Sequence, residues 1–306
     1  MDFPVLDDAA RLARLAPPTG PVEMVLDTDT YNEIDDQFAV VYSLLSPERL
    51  SVRALYAAPF HNNRSSGPGD GMEKSYEELL RLLERMDCRA DGFVFRGSER
   101  YLAGAADPVV SDAATDLVAR AMADRDGPLY VVAIGAITNV ASALLIEPRL
   151  VERIVVVWLG GQPHYWHTAR EFNLSQDLHA ARVILESGVP FVHVPCRHVA
   201  QLLRTTVGEL RSDMGDAGPI AQFLLERFCA FRDNHFAWAK EIWDLAPVAW
   251  LVHPSWLPST IVHAPVVTDR HTWSADPFGP LMRVALDCNR NAIFADVFTK
   301  LKHAAT

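Results

Sequence analysis

The sequence has few cysteine residues, and they are far apart. Only four occur in 306 residues, and no two of them form a CxxC pair. A zinc knuckle or a disulfide framework needs closely and regularly spaced cysteines, so neither is indicated. We therefore expect buried, reduced thiols at Cys88, Cys196, Cys229 and Cys288.

Positive charge and long apolar runs are also scarce. The chain carries 28 basic against 39 acidic residues, a formal net charge of −11, which argues against a nucleic-acid-binding or anionic-membrane surface. No segment reaches the roughly 18 uninterrupted apolar residues of a membrane span. The N-terminus has early acidic residues instead of the basic start and apolar run of a secretory signal. These features predict a cytoplasmic protein acting on small molecules, with no nucleic-acid or membrane partner.

The composition that remains is typical of a globular protein. Hydrophobic residues make up 49% of the chain and charged residues 22%, which is enough apolar material for a large core. No Gly/Ser-rich or Pro-rich linker divides the sequence. We expect a single domain over residues 1–306.

Short apolar runs alternate with stretches of helical periodicity. This alternation requires crossover connections, and it predicts an α/β fold with a mostly parallel, open, doubly wound sheet and helices on both faces. The predicted strands are Val22–Leu26, Val52–Ala58, Gly92–Phe95, Leu129–Ile134, Ile154–Leu159 and Pro190–Val194. The predicted helices are Met72–Met86, Ser111–Ala123, Asn139–Leu145 and Asp177–Ser187.

The remaining segments are less regular. Asn62–Gly71 is polar and rich in turn residues, which is typical of a surface loop or a lid. Pro219–Val252 is expected to be mainly helical, with Pro247 interrupting it or opening a turn. Ile261–Val267 and Met282–Leu286 are candidates for late, antiparallel edge strands.

Five acidic residues lie within the ten-residue stretch Asp27–Asp36, directly after the first predicted strand. Their mutual repulsion is unfavourable unless a cation or a hydrogen-bonding network offsets it. Oxygen ligands of this kind suit Ca²⁺ or Mg²⁺ better than zinc. The alternative is that Asp35 or Asp36 caps the next helix, which explains one or two of the acids but not all five.

Four ordered motifs resemble those of the inosine–uridine-preferring nucleoside hydrolases. The first is the strand followed by Asp-x-Asp and then Asp-Asp within Asp27–Asp36. The second is Val132–Asn139, similar to a strand-to-helix turn that ends in Thr-Asn. The others are Leu159-Gly160-Gly161 with Glu171-Phe172-Asn173, and Trp243-Asp244-Leu245-Ala246-Pro247. The matches span residues 22–250, most of the chain.

The resemblance implies a Ca²⁺-dependent N-ribosyl hydrolase that acts on a small nucleoside as a homodimer or homotetramer. It implies that Ca²⁺ is held by Asp29, Asp36, Asp244 and the main-chain carbonyl of Thr138. It further implies that Asp29 deprotonates the attacking water. The ribose hydroxyls would be held by Asp35, Glu171, Asn173 and an asparagine after the second strand, Asn62 or Asn63.

Three departures from the family pattern affect these implications. Five residues instead of three separate Asp29 from Asp35, so the loop must bulge, and Asn32 or Glu33 is a candidate to project into the site. Tyr165 lies nearest the position of an asparagine that binds the ribose 5′-hydroxyl. Either the substrate is modified at its 5′ position, or Tyr165 or a histidine such as His164 supplies a different hydrogen bond. Trp243 stands where a histidine usually precedes the last metal-binding aspartate.

Trp243 affects the choice of leaving base. A purine-preferring branch of the family also has tryptophan there, and an indole stacked on the base favours a large ring system. We therefore expect a preference for purine ribosides, with a role in purine salvage. His61, His164 and His235, the last expected on a helix, are the candidate proton donors.

Two other functions compete with this interpretation. The run Met24–Thr30 also fits the start of a haloacid-dehalogenase-like phosphatase. That reaction needs a lysine before a late acidic pair, and none of the four lysines, Lys74, Lys240, Lys300 and Lys302, has that spacing. A non-catalytic nucleoside-binding or ribose-binding protein is the third possibility, against which the retained Asp29 argues.

Overall fold

The computed structural model describes residues 3–304. They form a single α/β domain with an eight-stranded central sheet. The predicted domain over residues 1–306 includes residues 1–2 and 305–306, which lie outside the described residues. Within the described range, no helix is long and apolar enough to cross a membrane.

The strands are short and mostly buried. They are β1 Val22–Thr28, β2 Leu50–Ala57, β3 Val94–Arg96, β4 Leu129–Ala133, β5 Ile154–Leu159, β6 Phe191–Val194, β7 Arg204–Thr205, β8 Lys240–Glu241, β9 Ser259–His263, β10 Val266–Val267, β11 Trp273–Ser274 and β12 Leu281–Ala285.

The helices fill the connections between these strands. They are α1 Asp8–Leu15, α2 Asp35–Leu44, α3 Pro68–Arg85, α4 Asp112–Met122, α5 Thr138–Ile146, α6 Phe172–Gln176, α7 Leu178–Glu186, α8 Val207–Met214, α9 Gly218–Ala230, α10 Leu245–Val252 and α11 Arg290–Ala304. Short 3₁₀ segments cover Pro148–Glu152, Ala200–Leu202 and Pro254–Trp256.

The central sheet has the strand order β3-β2-β1-β4-β5-β6-β12-β9. All neighbouring strands pair in parallel except β12 and β9. Every residue of β4, β5 and β6 is buried, because helices cover both faces of the sheet. The predicted α/β fold is confirmed.

The strand order reverses direction beside β1. The chain proceeds from β1 outward through β2 and β3, and then returns to place β4 on the other side of β1. Ligands of open α/β sheets bind beyond the carboxyl ends of the strands at such a switch point. Asp27–Asp36 and the turn after β4 meet at this point.

Two predicted segments differ in part from the structure. Pro219–Val252 is mainly helical as predicted, in α9 up to Ala230 and in α10 from Leu245, but residues 231–239 between the helices are irregular, and Pro247 lies in the first turn of α10, where a missing N–H is tolerated. The predicted strand Ile261–Val267 divides into β9 and β10, because Pro265 between them cannot donate to a strand ladder.

The polar loop and the cysteines also need correction. The segment Asn62–Gly71 is a loop only as far as Gly67, because α3 begins at Pro68. All four cysteines are free, but Cys88 is exposed and Cys229 only half-buried, whereas Cys196 and Cys288 are buried as expected.

Candidate active site

The turn after β4 leaves room for Asp29. Gly135 follows β4, and a Cβ atom built there would lie 2.9 Å from Oδ1 of Asp29 and 3.1 Å from Cβ of Ala58. A side chain at position 135 would therefore press against the Asp29 carboxylate. Glycine at this position leaves the space that the Asp29 carboxylate occupies at the base of the site.

Three further carboxylates lie together at the same place. Asp35 and Asp36 occupy the first turn of α2, and Asp244 immediately precedes α10. One oxygen from each of the three lies within 4.8 Å of the others, and all three side chains are buried. Neither aspartate caps α2, since the N-cap residue is Ile34 and no side chain makes a capping bond there. Helix capping alone does not explain the cluster.

Burial raises the pKa of all four carboxyl groups at this site. Burial and the neighbouring acids Asp36 and Asp35 raise the pKa of Asp29 well above its usual range. Burial raises the pKa of Asp35 to about 6, and burial with the Asp35 charge raises that of Asp36 to about 8. The pKa of Asp244 is also well above its usual range, from burial and the charge of Asp35. A bound cation would reverse these shifts by favouring the ionised forms.

The donor set fits a hard divalent cation. All of the converging groups are carboxylates, which suit oxygen-preferring ions. Oδ2 of Asp29 is buried without a hydrogen-bond partner, while Oδ1 of Asp36 accepts a hydrogen bond from Thr28 Oγ1 at 2.5 Å. Such a partnerless buried oxygen is costly unless a ligand satisfies it. The residues present can therefore hold a metal ion.

The tight cluster differs in part from the ligand set implied by the sequence. Asp35, expected to bind ribose, belongs to the group within 4.8 Å, whereas Asp29 lies outside that group and interacts with it through its charge. Thr138 is buried at the start of α5, and its hydroxyl donates to Asp177 Oδ2 at 2.8 Å. It is not part of the cavity lining described next.

A cavity of about 380 Å³ opens above the cluster. Its size suits a small organic ligand such as a nucleoside. Nine of the residues selected from the sequence line it: Asp29, Asn32, Glu33, Asp35, Asp36, Glu171, Asn173, Trp243 and Asp244.

Asn173 has a fixed amide orientation. Its Nδ2 donates to the carbonyls of Ile134 at 3.0 Å and Leu159 at 2.9 Å. The amide nitrogen is therefore committed to the ends of β4 and β5, and Oδ1 is the amide atom left for a ligand. A hydroxyl group is the matching donor.

Glu171 is held by backbone amides. As N-cap of α6 its carboxylate accepts from the N–H groups of Asn173 at 2.9 Å and Leu174 at 3.1 Å, and also from Gly161 at 2.7 Å. Burial raises its pKa, and these three backbone bonds oppose that rise. The Glu171 side chain borders the cavity, and its hydrogen bonds connect the Gly160–Gly161 turn to the start of α6.

The extended loop between Asp29 and Asp35 lines the cavity with both expected residues, Asn32 and Glu33. Nδ2 of Asn62 donates to Oδ1 of Asn32 at 2.6 Å. The carboxylate of Glu33 pairs with Lys240, which is buried and lies 5.2 Å from the Phe231 ring. The loop between Asp29 and Asp35 therefore contacts the polar loop after β2 through Asn62, and it contacts β8 through Lys240.

Trp243 lies in the turn between β8 and α10, next to Asp244. Its side chain is half-buried, packs against the main core cluster and lines the cavity. The turn therefore places an aromatic surface and a buried carboxylate in one site.

Comparison with known proteins identifies the chain. The family model for inosine-uridine preferring nucleoside hydrolase matches residues 24–295. The protein belongs to this family. The pyrimidine-specific ribonucleoside hydrolase RihA of Klebsiella pneumoniae is 29% identical over 259 residues, covering 76% of this chain and 79% of the relative. Its Salmonella typhimurium counterpart is 28% identical over 258 residues, with the same coverage of both chains.

Solved structures of nucleoside hydrolases share the fold. A purine-preferring ribonucleoside hydrolase from Gardnerella vaginalis has a TM-score of 0.74 at 19% identity, covering 92% of this chain and 99% of that one. A plant nucleoside hydrolase has a TM-score of 0.72 at 22% identity, with the same coverage. The family assignment confirms N-ribosyl hydrolase activity and disfavours both the phosphatase and the non-catalytic binding protein.

Several side chains selected from the sequence do not line the cavity of this nucleoside hydrolase. Tyr165 is 71% exposed, and its hydroxyl contacts His198 Nδ1 at 2.8 Å. His164 contacts Nδ1 of His193 at 3.1 Å, and burial lowers its pKa to about 4. Asn62 acts through Asn32, and Asn63 is exposed.

The histidines proposed as acids lie away from the cavity. His61 is exposed, and its backbone N–H donates to Gln176 Oε1. The expected helical position of His235 is wrong, because α9 ends at Ala230 and His235 follows in irregular chain. Its Nε2 lies 3.0 Å from the carbonyl oxygen of Cys229.

The structure adds lining residues that the motifs did not identify. They are Gln162, Cys196, Arg197, Gln201 and Glu241. Ile134, Leu159 and Phe172, which lie within the motifs, form an apolar wall. Cys196 and Arg197 directly follow β6, so the rule that ligands bind beyond the carboxyl ends of strands could have indicated them.

Proposed function

We propose that this nucleoside hydrolase uses Ca²⁺ to cleave the N-glycosidic bond of purine ribonucleosides, releasing free base and ribose. The observation that supports this most strongly is that the buried cluster of Asp35, Asp36 and Asp244 shares one cavity, at the switch point of the sheet, with Asp29 and the aromatic side chain of Trp243.

Asp29, Asp36 and Asp244 are the proposed ligands, with the Thr138 carbonyl as the fourth protein oxygen. Asp35, which lies in the same cluster, either joins them or binds a ribose hydroxyl. Bound Ca²⁺ supplies positive charge that lowers the pKa of a coordinated water and orients ribose hydroxyls.

Asp29 is the proposed general base. Its partnerless Oδ2 is available to accept the proton of the water that attacks the anomeric carbon. Cleavage of an N-ribosidic bond passes through an oxocarbenium-like state, as with O-glycosides. The surrounding carboxylates stabilise the positive charge that develops on the sugar.

Trp243 is the proposed contact for the base. Stacking on the indole favours purines over pyrimidines, because a purine covers more of the ring face. The RihA relatives are described as pyrimidine-specific, which makes a pyrimidine riboside the second candidate substrate.

A panel of inosine, guanosine, adenosine, uridine and cytidine tests the proposal. Chromatography of the products should show equimolar base and ribose, with the purine ribosides cleaved fastest. Preferential cleavage of uridine or cytidine would favour the second candidate, and no release of base from any riboside would contradict the proposed function.

A further inference from the structure

None of the described residues that line the cavity is a histidine that could protonate the leaving base. Breaking the bond between ribose and base leaves the bonding electron pair on the base nitrogen, so negative charge grows there. A fixed hydrogen-bond donor aimed at the base would stabilise that charge without transferring a proton.

Asn32 is a buried donor in the cavity wall. It lies in the loop that is two residues longer than the family pattern, it lines the cavity, and it is 9% exposed. Its backbone N–H donates to the carbonyl of Asp29 at 2.7 Å. The loop therefore holds Asn32 in a fixed place beside the proposed general base.

Two hydrogen bonds fix which amide atom of Asn32 faces the cavity. The backbone N–H of Arg64 donates to Oδ1 of Asn62 at 2.8 Å, which turns Nδ2 of Asn62 toward Asn32. That nitrogen then donates to Oδ1 of Asn32 at 2.6 Å. With Oδ1 engaged, Asn32 must present its Nδ2 elsewhere.

The Nδ2 atom of Asn32 is free for a ligand. Among the described residues none accepts a hydrogen bond from it, and it is not one of the sealed, partnerless polar atoms of the interior. The ribose end of the cavity offers acceptors, namely the carboxylates and Oδ1 of Asn173, which match hydroxyl donors. A donor is the complement to the ring nitrogens and carbonyl oxygens of a nucleobase.

We propose that Asn32 selects the substrate by donating a hydrogen bond from Nδ2 to an acceptor atom of the leaving base. This inference rests on the proposed ribonucleoside hydrolysis. Water adds to the anomeric carbon and loses its proton to Asp29, and the base departs with the electron pair of the broken bond and takes its proton from solvent. The hydrogen bond from Asn32 strengthens as the base becomes anionic.

The first test compares two substrates in the Asn32→Ala variant. Inosine needs help with its leaving base, whereas p-nitrophenyl riboside releases a stable phenolate that lacks the base acceptors. The variant should lose about 10- to 100-fold in kcat/KM for inosine, the effect expected for a hydrogen bond to a charged group. Activity on p-nitrophenyl riboside should be retained, which also shows that the variant is folded and binds ribose.

The second test inverts the Asn32 amide without changing Asn32. In the Asn62→Asp variant the carboxylate still accepts from Arg64, but it can no longer donate. Asn32 must then rotate to donate Nδ2 to that carboxylate, and its Oδ1 turns to the cavity. We expect the same selective loss on inosine. Asn291→Asp, an exposed change on α11 that adds the same charge, is the matched control and should leave both activities unchanged.

Equal losses on both substrates would place Asn32 on the ribose and overturn the inference. An unchanged kcat/KM for inosine in either variant would overturn it as well. Absence of inosine and p-nitrophenyl riboside hydrolysis by the wild-type protein is a different result, because it would reject the proposed function itself.

Discussion

Asp27 and Asp29 are both buried at the end of β1, yet they have different surroundings. Oδ1 of Asp27 accepts from Asn139 Nδ2 at 2.7 Å, and burial raises its pKa to about 7. Oδ2 is buried without a partner in both residues, but only Asp29 borders the cavity and the acidic cluster. Sequence spacing alone places both carboxylates at the end of one strand, and only packing shows that Asp29 reaches the cavity while Asp27 does not.

The Asp29→Asn substitution tests the role of the base. Asparagine fits the same space but cannot accept the proton of the attacking water. We expect kcat to fall by about 10²-fold or more, the usual contribution of a positioned base, while the fold and part of the ribose affinity are retained. Steady-state kinetics with inosine would measure this, and a near-normal kcat would exclude Asp29 as the base whatever the KM.

The Trp243→Ala substitution tests stacking on the base. Loss of the indole should reduce kcat/KM for inosine. The lost transition-state stabilisation should be about 1–3 kcal/mol, the value of a base–aromatic stack. The loss on p-nitrophenyl riboside should be smaller, because that leaving group departs without such help. Parallel losses on the two substrates would indicate collapse of the cavity, and a wild-type preference for uridine would remove the basis for purine selection.

Elements that alternate regularly along the chain were predictable, and irregular connections were not. Buried runs such as β4 and β5 are recognisable because both faces are covered and nearly every residue is apolar. Residues 231–239 fall inside the segment predicted as mainly helical, but Trp238 packs on Phe228 and Phe231 from an irregular chain. Local pattern does not reveal such long-range packing.

The turn after β4 can be tested at Gly135, which leaves space for the Asp29 carboxylate. In the Gly135→Ala variant the added Cβ would lie 2.9 Å from Oδ1 and 3.0 Å from Cγ of Asp29, so the carboxylate must move. We expect kcat to fall by about 10²-fold, as for other small misplacements of a catalytic group. Gly20→Ala is the control, because nothing lies within 4 Å of the Cβ built there. Full activity of the Gly135 variant would show that Asp29 tolerates displacement.

At the scale of the whole molecule, the motifs predicted the family and the fold, because four ordered matches constrain a chain more than any one of them. They did not identify Arg197 or Gln201, which come from the chain after β6 and carry no recognisable spacing. The predicted homodimer or homotetramer and the cytoplasmic location stay predictions, and sedimentation of the purified protein would measure the oligomeric state.

The acidic cluster links stability to pH and calcium. Asp35 and Asp36 have pKa values of about 6 and about 8 in the folded protein, against a usual 3.8. Between pH 3.8 and these raised pKa values, the folded state binds more protons than the unfolded state. Stability of the calcium-free protein should therefore be highest at acidic pH and fall as the pH rises from about 4 to about 8.

Calcium should cancel this loss, because it favours the ionised carboxylates and binds only the folded state. Thermal unfolding at pH 5 and pH 8, with calcium and with a chelator, would measure the effect. The melting temperature should fall toward pH 8 in the chelated sample and rise on adding calcium at that pH. A calcium-free protein that is more stable at pH 8 than at pH 5 would contradict the assigned electrostatics.

The central claim is that one Ca²⁺ in the carboxylate cluster enables ribonucleoside hydrolysis, and a calcium titration of the metal-depleted protein tests it most directly. Calorimetry and release of hypoxanthine from inosine would be followed together, in the wild type and in Asp36→Ala. The account predicts that wild-type activity appears with binding and saturates at one equivalent per chain. It also predicts that the Asp36→Ala variant, whose metal site lacks one of its carboxylate ligands, loses both calcium binding and activity. Full hydrolysis by the chelated wild-type protein, or undiminished stoichiometric binding in Asp36→Ala, would contradict it.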